Sequence, residues 1–312
     1  MKHLCLLLLA LLFAPPARAQ TPANQRQIQY LSGRDNHRTV KWDFYCTGGR
    51  KSGYWTTIAV PSCWEQEGFG LYNYGRDYKT YGKNFRFADE QGLYKHSFTV
   101  PTAWRGRRVE IVFEGSMTDT EVKVNGQVAG PIHQGAFYRF KYDLTDKLKF
   151  GEANLLEVKV SKMSAEPSVN NAERLADYWV FGGIFRPVYL QSYPPQYAEN
   201  VAIDARANGS FTLRANLRNV KQAAQLQADI IDQTGQTVGT ASGSVAAGDT
   251  VARLTTTVKN PRQWTSETPS LYRARLTLRT GPETQYQTTE TFGFRTIEVR
   301  RGMGIYVNGT QV

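Results

Sequence analysis

The sequence is poor in the residues that form metal and thiol sites. It contains 3 Cys and 4 His among 312 residues, and the histidines are dispersed along the chain. No two cysteines form a C-x-x-C pair, and no cluster has the spacing of zinc ligands. We therefore expect no metal, no cofactor and no catalytic Cys/His pair.

Long hydrophobic runs are also scarce. The apolar run at residues 4–14 is shorter than the ~20 residues that span a bilayer. It follows Lys2 and precedes the A-x-A pattern Ala17-Arg18-Ala19, which is typical of a signal peptide. We expect residues 1–19 to be a signal peptide, the mature protein to be exported (periplasmic or secreted), and no segment to span a membrane.

Dense runs of one charge are absent, although the formal net charge is +11. The Lys and Arg residues are scattered singly along the chain, and no nucleic-acid-binding module is recognisable. We therefore expect a solvated basic surface and no nucleic-acid partner.

Only two cysteines, Cys46 and Cys63, lie beyond the predicted leader. An oxidising compartment permits a disulfide between them. Two cysteines fix no disulfide framework, however, and both are also compatible with small buried thiols. The sequence leaves both interpretations open.

What the sequence does contain is typical of an all-β protein. It has 27 Gly, 17 Tyr, 15 Phe and 6 Trp, and strands favour aromatic residues whereas turns favour Gly. Asn125-Gly126 is a strong hairpin signal. Short strand-like segments follow one another without intervening amphipathic helices, at residues 40–44, 55–60, 98–100, 109–113, 121–124, 138–142 and 155–160. This pattern predicts a β-sandwich.

The second half of the chain repeats this pattern after a break. Pro194-Pro195 interrupts the strands, and we expect an exposed linker between two domains there. The segments beyond it alternate like half-buried strands, at residues 201–205, 210–219, 225–232, 250–258, 272–279 and 283–294. Their number and spacing are close to those of an immunoglobulin-like sandwich, here without the Cys…Trp…Cys pin.

Three motifs, in the expected order, resemble glycoside hydrolase family 2, the β-galactosidase, β-glucuronidase and β-mannosidase group. Asp177 and Trp179, followed by GIFR at residues 183–186, resemble the segment that closes the family's N-terminal sugar-binding domain. The run WTSETPSLY at residues 264–272 resembles its second hallmark. The run YVNG at residues 306–309 resembles the hairpin that introduces the catalytic barrel.

The resemblance implies a domain organisation. Residues 20–192 would form a jelly-roll (galactose-binding-like) sandwich, residues 193–296 an immunoglobulin-like sandwich, and residues 297–312 the start of a catalytic TIM barrel that is missing here. It therefore implies the non-catalytic N-terminal portion of a retaining β-glycosidase. The expected partners are the barrel and, through it, a glycan substrate, with homo-oligomerisation left open.

The carboxylates of the chain suggest no catalytic pair. A retaining glycosidase needs two carboxyl groups about 5 Å apart, and in the resembled family both belong to the barrel. We expect the carboxylates that stand near one another in this sequence to be solvated turn or rim groups. They are Glu65, Glu67, Asp89, Glu90, Glu114, Asp119 and Glu121. We assign no catalytic residue.

Three residues are candidates for substrate binding. The resemblance implies that Asp177 belongs to the pocket wall, where a carboxylate can accept hydrogen bonds from sugar hydroxyls. The alternative for Asp177 is a turn carboxylate bound to backbone N–H groups. Trp179 could stack on a sugar face, and its alternative is a core Trp at a strand end. Asn73 lies where family members place another pocket residue.

Two functions remain open. The first is an exported, β-galactosidase-like glycosidase that hydrolyses O-glycosidic bonds when the barrel is present. The second is a free-standing carbohydrate-binding or interaction protein without catalysis. A self-contained binder should end in a closed strand with a polar tail, whereas this chain ends within the hairpin at residues 306–312. We therefore favour the first hypothesis.

Overall fold

The structure, a computed structural model, describes residues 23–82 and 84–312. The predicted signal peptide at residues 1–19 lies outside this range. Antiparallel sheets account for most of the described chain, and its helices are short. The prediction of an all-β protein is confirmed.

The first domain, which we refer to as the first sandwich, contains twelve strands in the described chain, and ten of them form its two main sheets. The twelve strands are β1 (Gln27–Tyr30), β2 (Val40–Cys46), β3 (Trp55–Val60), β4 (Asn73–Tyr74), β5 (Gln91–Thr99), β6 (Arg108–Phe113), β7 (Asp119–Val124), β8 (Gln127–Val128), β9 (Phe140–Asp143), β10 (Ala153–Ser161), β11 (Trp179–Val180) and β12 (Val188–Tyr193). The helices between them are α1 (Asp77–Tyr81), α2 (Pro167–Glu173) and a 3-10 turn (Thr102–Trp104).

Two antiparallel sheets of this region enclose one apolar core. The larger has the strand order β3-β2-β5-β10-β7-β8, and the smaller has the order β1-β12-β6-β9. The core between them includes Trp42, Phe44, Ile111, Phe113 and Leu156. This is the β-sandwich that the strand pattern predicted and the jelly roll that the family resemblance implied. A separate two-stranded sheet, β4 with β11, carries the candidate site described below.

β10 illustrates how the sequence determines this packing. Successive side chains of a strand point to opposite faces of the sheet. Leu156, Val158 and Val160 are buried in the core, whereas Glu157 and Lys159 between them are partly exposed. The central strand therefore has one apolar face and one charged face, and the charged face is open to solvent.

The predicted hairpin at Asn125-Gly126 is confirmed. It joins β7 to β8, and Lys123 pairs with Val128 across the turn. Both turn residues have positive φ, 53° at Asn125 and 78° at Gly126, as a tight turn between twisted strands requires.

The second sandwich is immunoglobulin-like, with sheets of three and four strands. Its strands are β13 (Tyr197–Ala205), β14 (Ser210–Arg218), β15 (Ala224–Ile231), β16 (Thr237–Val245), β17 (Val251–Thr257), β18 (Tyr272–Thr280) and β19 (Glu283–Phe292). The sheet orders are β13-β14-β17 and β16-β15-β18-β19. Phe211, Leu213, Leu226 and Leu276 lie in the core between them. A small sheet of β20 (Ile297–Arg300), β21 (Gly304–Val307) and β22 (Thr310–Gln311) follows.

The junction between the two sandwiches is packed. β12 ends at Tyr193 and β13 begins at Tyr197, and the two rings stack with centroids 4.3 Å apart. Pro194, which lies between the two tyrosines in the sequence, is buried. Lys141 of the first sandwich also pairs with Glu199 of the second at 2.8 Å. The expectation of an exposed linker is therefore wrong at Pro194, which is buried next to the stacked Tyr193, and holds at Pro195, which is exposed.

Candidate functional site

The short sheet of β4 and β11 brings the three sequence-predicted site residues together. Trp179 lies opposite Tyr74, and Val180 lies opposite Asn73. Asp177 precedes β11 by two residues. Residues about a hundred positions apart in sequence thus converge on one edge of the first sandwich.

A glycine allows this close approach. The Gly75 N–H donates to the carbonyl oxygen of Tyr178 over 2.8 Å. A Cβ added to Gly75 would lie 2.2 Å from the carbonyl oxygen of Ala176, which is too close for any larger residue. The turn after β4 can therefore lie directly against the segment that carries Asp177.

Asp177 is an exposed carboxylate held by side chains. Its side chain is 65% exposed, and its Oδ1 lies 3.6 Å from Nε of Arg76. The Tyr74 hydroxyl donates a hydrogen bond to the same oxygen, and this bond raises the pKa of Tyr74. A carboxylate has about four acceptor positions, so Asp177 can accept further hydrogen bonds from solvent or a ligand.

Trp179 presents an aromatic surface beside this carboxylate. The residue is 53% exposed, and its ring contacts Tyr72 and Tyr74 edge to face, with centroids 5.9 Å and 5.5 Å away. The Arg50 guanidinium lies 5.3 Å from the Tyr72 centroid. We refer to Tyr72, Tyr74, Asp177 and Trp179 as the Asp177 surface.

Asn73 lies beside this surface, but its carbonyl group has a structural partner. Its Oδ1 accepts a hydrogen bond from the Ala88 N–H over 2.7 Å. This bond holds the segment that follows α1 against β4. A role for Asn73 in ligand binding remains a prediction.

Three buried charged residues hold the segments next to the Asp177 surface. Lys162 Nζ lies 2.8 Å from Glu65 Oε1 and 3.1 Å from Glu90 Oε1, and none of the three side chains is more than 2% exposed. We refer to Glu65, Glu90 and Lys162 as the buried triad. Burial raises the pKa of Glu65, while the Lys162 ammonium and the Gly182 N–H act in the opposite direction.

The buried triad also binds the backbone on both sides of the site. The Glu65 carboxylate accepts the Gly182 N–H at 3.0 and 3.1 Å. Glu90 Oε1 accepts the Leu71 N–H at 2.8 Å, and Lys162 donates to the Leu71 carbonyl oxygen. The segment before Tyr72 and the segment after Trp179 are therefore fixed by one group of charges.

The burial of these carboxylates corrects an expectation. Glu65, Glu90 and Asp119 are buried rather than solvated, because each accepts hydrogen bonds within the first sandwich, Asp119 from the Ala165 N–H at 2.8 Å. Glu67 and Asp89 are exposed as expected. The alternation of buried and exposed residues in β10 gave a signal for part of the triad. Lys162 lies at the next inward-facing position of this alternation, so its burial could have been expected.

The two cysteines of the described chain are free thiols, with Cys46 buried and Cys63 partly buried. Desolvation raises the pKa of Cys63 to about 12 and also raises the pKa of Cys46. Since the thiolate is the reactive form, neither cysteine is suited to nucleophilic chemistry at neutral pH.

The described residues contain no group of three or more His, Cys, Asp or Glu side chains that could hold a metal ion. The Asp177 surface combines an exposed carboxylate with exposed rings. Such a surface can accept hydrogen bonds from hydroxyl groups and pack against an apolar face.

Two models of one protein family match this chain. The family model for the sugar-binding domain of glycosyl hydrolases family 2 matches residues 51–194, and a second model of glycosyl hydrolases family 2 matches residues 196–295. Together they cover well over half of the sequence. The chain belongs to glycoside hydrolase family 2.

Curated relatives in family 2 are similar over most of this chain. A beta-galactosidase of Alteromonas mediterranea is 30% identical over 83% of the chain and 26% of its own length. A beta-galactosidase of Priestia megaterium is 28% identical, with the same two coverages. A beta-glucuronidase of Formosa agariphila is 26% identical over 70% of the chain and 25% of its own length. The chain thus spans about a quarter of the length of these relatives.

Solved family 2 structures share the fold. A Bacteroides uniformis beta-glucuronidase superposes with a TM-score of 0.71 at 23% identity, covering 92% of this chain and 34% of its own. A Bacteroides vulgatus beta-glycosidase gives a TM-score of 0.69 at 22% identity, covering 92% of this chain and 36% of its own. At these identities the similarity establishes the fold alone.

Within residues 23–82 and 84–312, no helix is both long enough and apolar enough to cross a membrane.

Proposed function

We propose that this chain is the non-catalytic N-terminal portion of an exported family 2 glycoside hydrolase. In the longer protein, the catalytic barrel would hydrolyse O-glycosidic bonds of the β-galactoside or β-glucuronide type, and this chain would supply part of the wall of the substrate pocket. The domains matched by the family models and the names of the relatives support the reaction class. Export is supported by the leader-like sequence of residues 1–19.

The assignment of Asp177 and Trp179 to the wall of the substrate pocket rests on one observation. Asp177 and Trp179 are both exposed by more than half and are held by neighbouring side chains rather than by the sandwich core. The alternatives were a turn carboxylate bound to backbone N–H groups and a core Trp, whereas Asp177 accepts its hydrogen bond from the Tyr74 side chain and Trp179 is exposed. The Asp177 carboxylate would accept hydrogen bonds from sugar hydroxyls, and the Trp179 ring would limit the orientation of the sugar.

We expect the isolated chain to have no glycosidase turnover. Family 2 chemistry requires two carboxyl groups at about 5 Å with one acting as nucleophile, whereas Glu65 and Glu90 are enclosed around Lys162. The measurement is hydrolysis of nitrophenyl β-galactoside and β-glucuronide by the purified chain. Activity that persists through repeated purification, and that Asp177→Asn abolishes, would contradict the proposal.

In the longer polypeptide that carries the barrel, we expect Asp177→Asn to lower kcat/KM about 10- to 100-fold. The reason is that a hydrogen bond to a charged group contributes about 1.5–3 kcal/mol. The thermal midpoint should change little, since Asp177 is exposed. The measurement is steady-state kinetics together with thermal denaturation.

Asp204→Asn is the matched control for this variant. Asp204 is 60% exposed and pairs with Arg206 at 3.1 Å in the second sandwich, much as Asp177 lies beside Arg76. Its kinetics should equal those of the parent protein. If Asp177→Asn instead lowers the melting temperature and leaves kcat/KM unchanged, Asp177 has a structural role and the pocket assignment fails.

A further inference from the structure

The solvent-facing side of the six-stranded sheet carries an ordered set of aromatic and charged side chains. The register places Trp55, Tyr45, Leu93, Lys159 and Glu121 opposite one another in a row across five strands. The neighbouring row contains Thr57, Asp43, Lys95, Glu157 and Lys123. We refer to these two rows as the sheet face. One end of it is aromatic and the other end is charged.

Part of the sheet face forms a depression. A depression of about 390 Å³ is lined by Trp55, Leu93, Lys95, Glu121, Glu157 and Lys159, among others. This volume lies within the range of small-molecule sites, about 300–1,000 Å³. None of its lining residues belongs to the Asp177 surface.

Trp55 forms the aromatic wall of this depression. The residue is 47% exposed, and its ring meets Tyr45 with centroids 5.7 Å apart and planes inclined by 51°. The Lys95 ammonium lies 5.0 Å from the Trp55 ring. The part of the Trp55 surface that stays in water gains nothing from folding. It is, however, available for stacking on a ligand.

The charged side chains supply donors and acceptors with little net charge. Lys95 lies 3.6 Å from Glu157, and Lys159 and Lys123 lie 2.9 and 3.2 Å from Glu121. Exposed pairs of this kind contribute little to stability. Three ammonium groups and two carboxylates in one depression can hydrogen-bond hydroxyl groups in both directions. Because the charges nearly cancel, the depression favours a neutral polyhydroxylated ligand over an anion.

We propose that the sheet face is an additional glycan-binding surface that takes one or two hexose units of a neutral polysaccharide. Trp55 stacks on the C–H face of a hexose ring, while Lys95, Glu157 and Lys159 hydrogen-bond its hydroxyl groups. The choice of a glycan as occupant rests on the proposed function, since a glycosidase that holds a polymer at a second surface keeps its substrate near. The site itself is complete within this chain.

The test is binding of the 312-residue chain to soluble β-1,4-galactan by affinity electrophoresis, and to galactotetraose by calorimetry. The parent chain should be retarded by galactan, and Trp55→Ala should weaken binding by roughly tenfold or more, as loss of a central aromatic anchor does. Glu157→Gln should weaken binding less. Circular dichroism should show that both variants fold, because both side chains reach solvent.

Tyr138→Ala is the matched control, because Tyr138 is a similarly exposed aromatic residue of the first sandwich that belongs neither to the sheet face nor to the Asp177 surface. It should bind galactan like the parent chain. No retardation of the parent chain by galactan would overturn the proposal. Loss of binding in Trp179→Ala alone would assign the glycan to the Asp177 surface, which supports the proposed function but refutes this site.

Two other occupants are separate outcomes, and each refutes the proposal. If light scattering shows a dimer of the parent chain that Trp55→Ala dissociates, the sheet face is an interface between copies. If polygalacturonate binds in a salt-sensitive way while galactan does not, the ligand is an anion rather than a neutral glycan.

Discussion

Lys162→Met is expected to lower the free energy of unfolding of the first sandwich by about 3–5 kcal/mol, the usual cost of removing one partner from a buried ion pair. Lys162 lies within 3.1 Å of both Glu65 and Glu90, and its side chain is fully enclosed. Without its ammonium group, two carboxylates face each other in the interior with no counter-charge between them. The Leu71 carbonyl oxygen also loses its bond from Lys162.

Chemical denaturation followed by tryptophan fluorescence measures this loss. Five of the six Trp residues lie in the first sandwich, at positions 42, 55, 64, 104 and 179, so the signal reports mainly on that domain. Lys159→Met is the control, because Lys159 is 42% exposed and pairs with Glu121 on the outer face of β10, the strand that Lys162 directly follows. It should cost less than about 1 kcal/mol. Equal losses in the two variants would show that the triad is not the source of stability.

A triple variant separates the buried charge from side-chain packing. Glu65→Gln and Glu90→Gln remove the two carboxylate charges, and combining them with Lys162→Met should recover part of the loss seen in Lys162→Met alone. The physical reason is that an uncompensated buried charge costs more than a neutral polar group in the same place. The account is contradicted if the triple variant is less stable than Lys162→Met by the sum of the losses that Glu65→Gln and Glu90→Gln cause separately.

Gly182→Ala is expected to destabilise the first sandwich by about 3 kcal/mol or more, at the upper end of the cost of overpacking. A Cβ at this position would lie 2.0 Å from Cζ2 of Trp64, and Trp64 is fully buried. The ring cannot turn aside within a packed core. The backbone of Gly182 would therefore have to move away from Glu65, which would weaken the bond between its N–H and that carboxylate.

Gly48→Ala provides the comparison for this substitution. A Cβ at Gly48 meets nothing nearer than Glu90 Cβ at 3.6 Å, which is an ordinary contact. Its free energy of unfolding should stay within about 0.5 kcal/mol of the parent value, as for most substitutions that create no clash. If thermal and urea unfolding show Gly182→Ala to be as mild as Gly48→Ala, the contact between Gly182 and Trp64 is not rigid.

The strand pattern of this chain was predictable because it depends on neighbours in sequence. β3 was predicted at its observed bounds, and the Asn125-Gly126 hairpin follows from the positive φ that only a few residues adopt readily. The exposure of Asp177 was expected through the family motif, whereas the sequence left open whether Trp179 is a sugar-facing ring or a core Trp, and the structure shows it exposed. The local sequence pattern does not reveal that β4 pairs with β11.

The Glu65 side of the buried triad shows what the sequence could not reveal. Glu65 and Lys162 stand 97 positions apart, and nothing in the local sequence around Glu65 distinguishes a buried carboxylate from an exposed one. Its burial depends on the ammonium group and the Gly182 N–H that the fold supplies. Cys46 and Cys63 pose the same problem, since the sequence left open the choice between a disulfide and the two thiols that the structure shows.

The packed junction limits how the two sandwiches can be exchanged between proteins. Tyr193 and Tyr197 stack across a connection of three residues, and the Tyr197 ring also meets Tyr286 of the second sandwich with centroids 6.4 Å apart. Each sandwich thus completes the hydrophobic surface of the other at this point. A chimera that joins this jelly roll to a foreign immunoglobulin-like domain needs an aromatic residue at the position of Tyr197, because otherwise the Tyr193 ring becomes an exposed apolar patch.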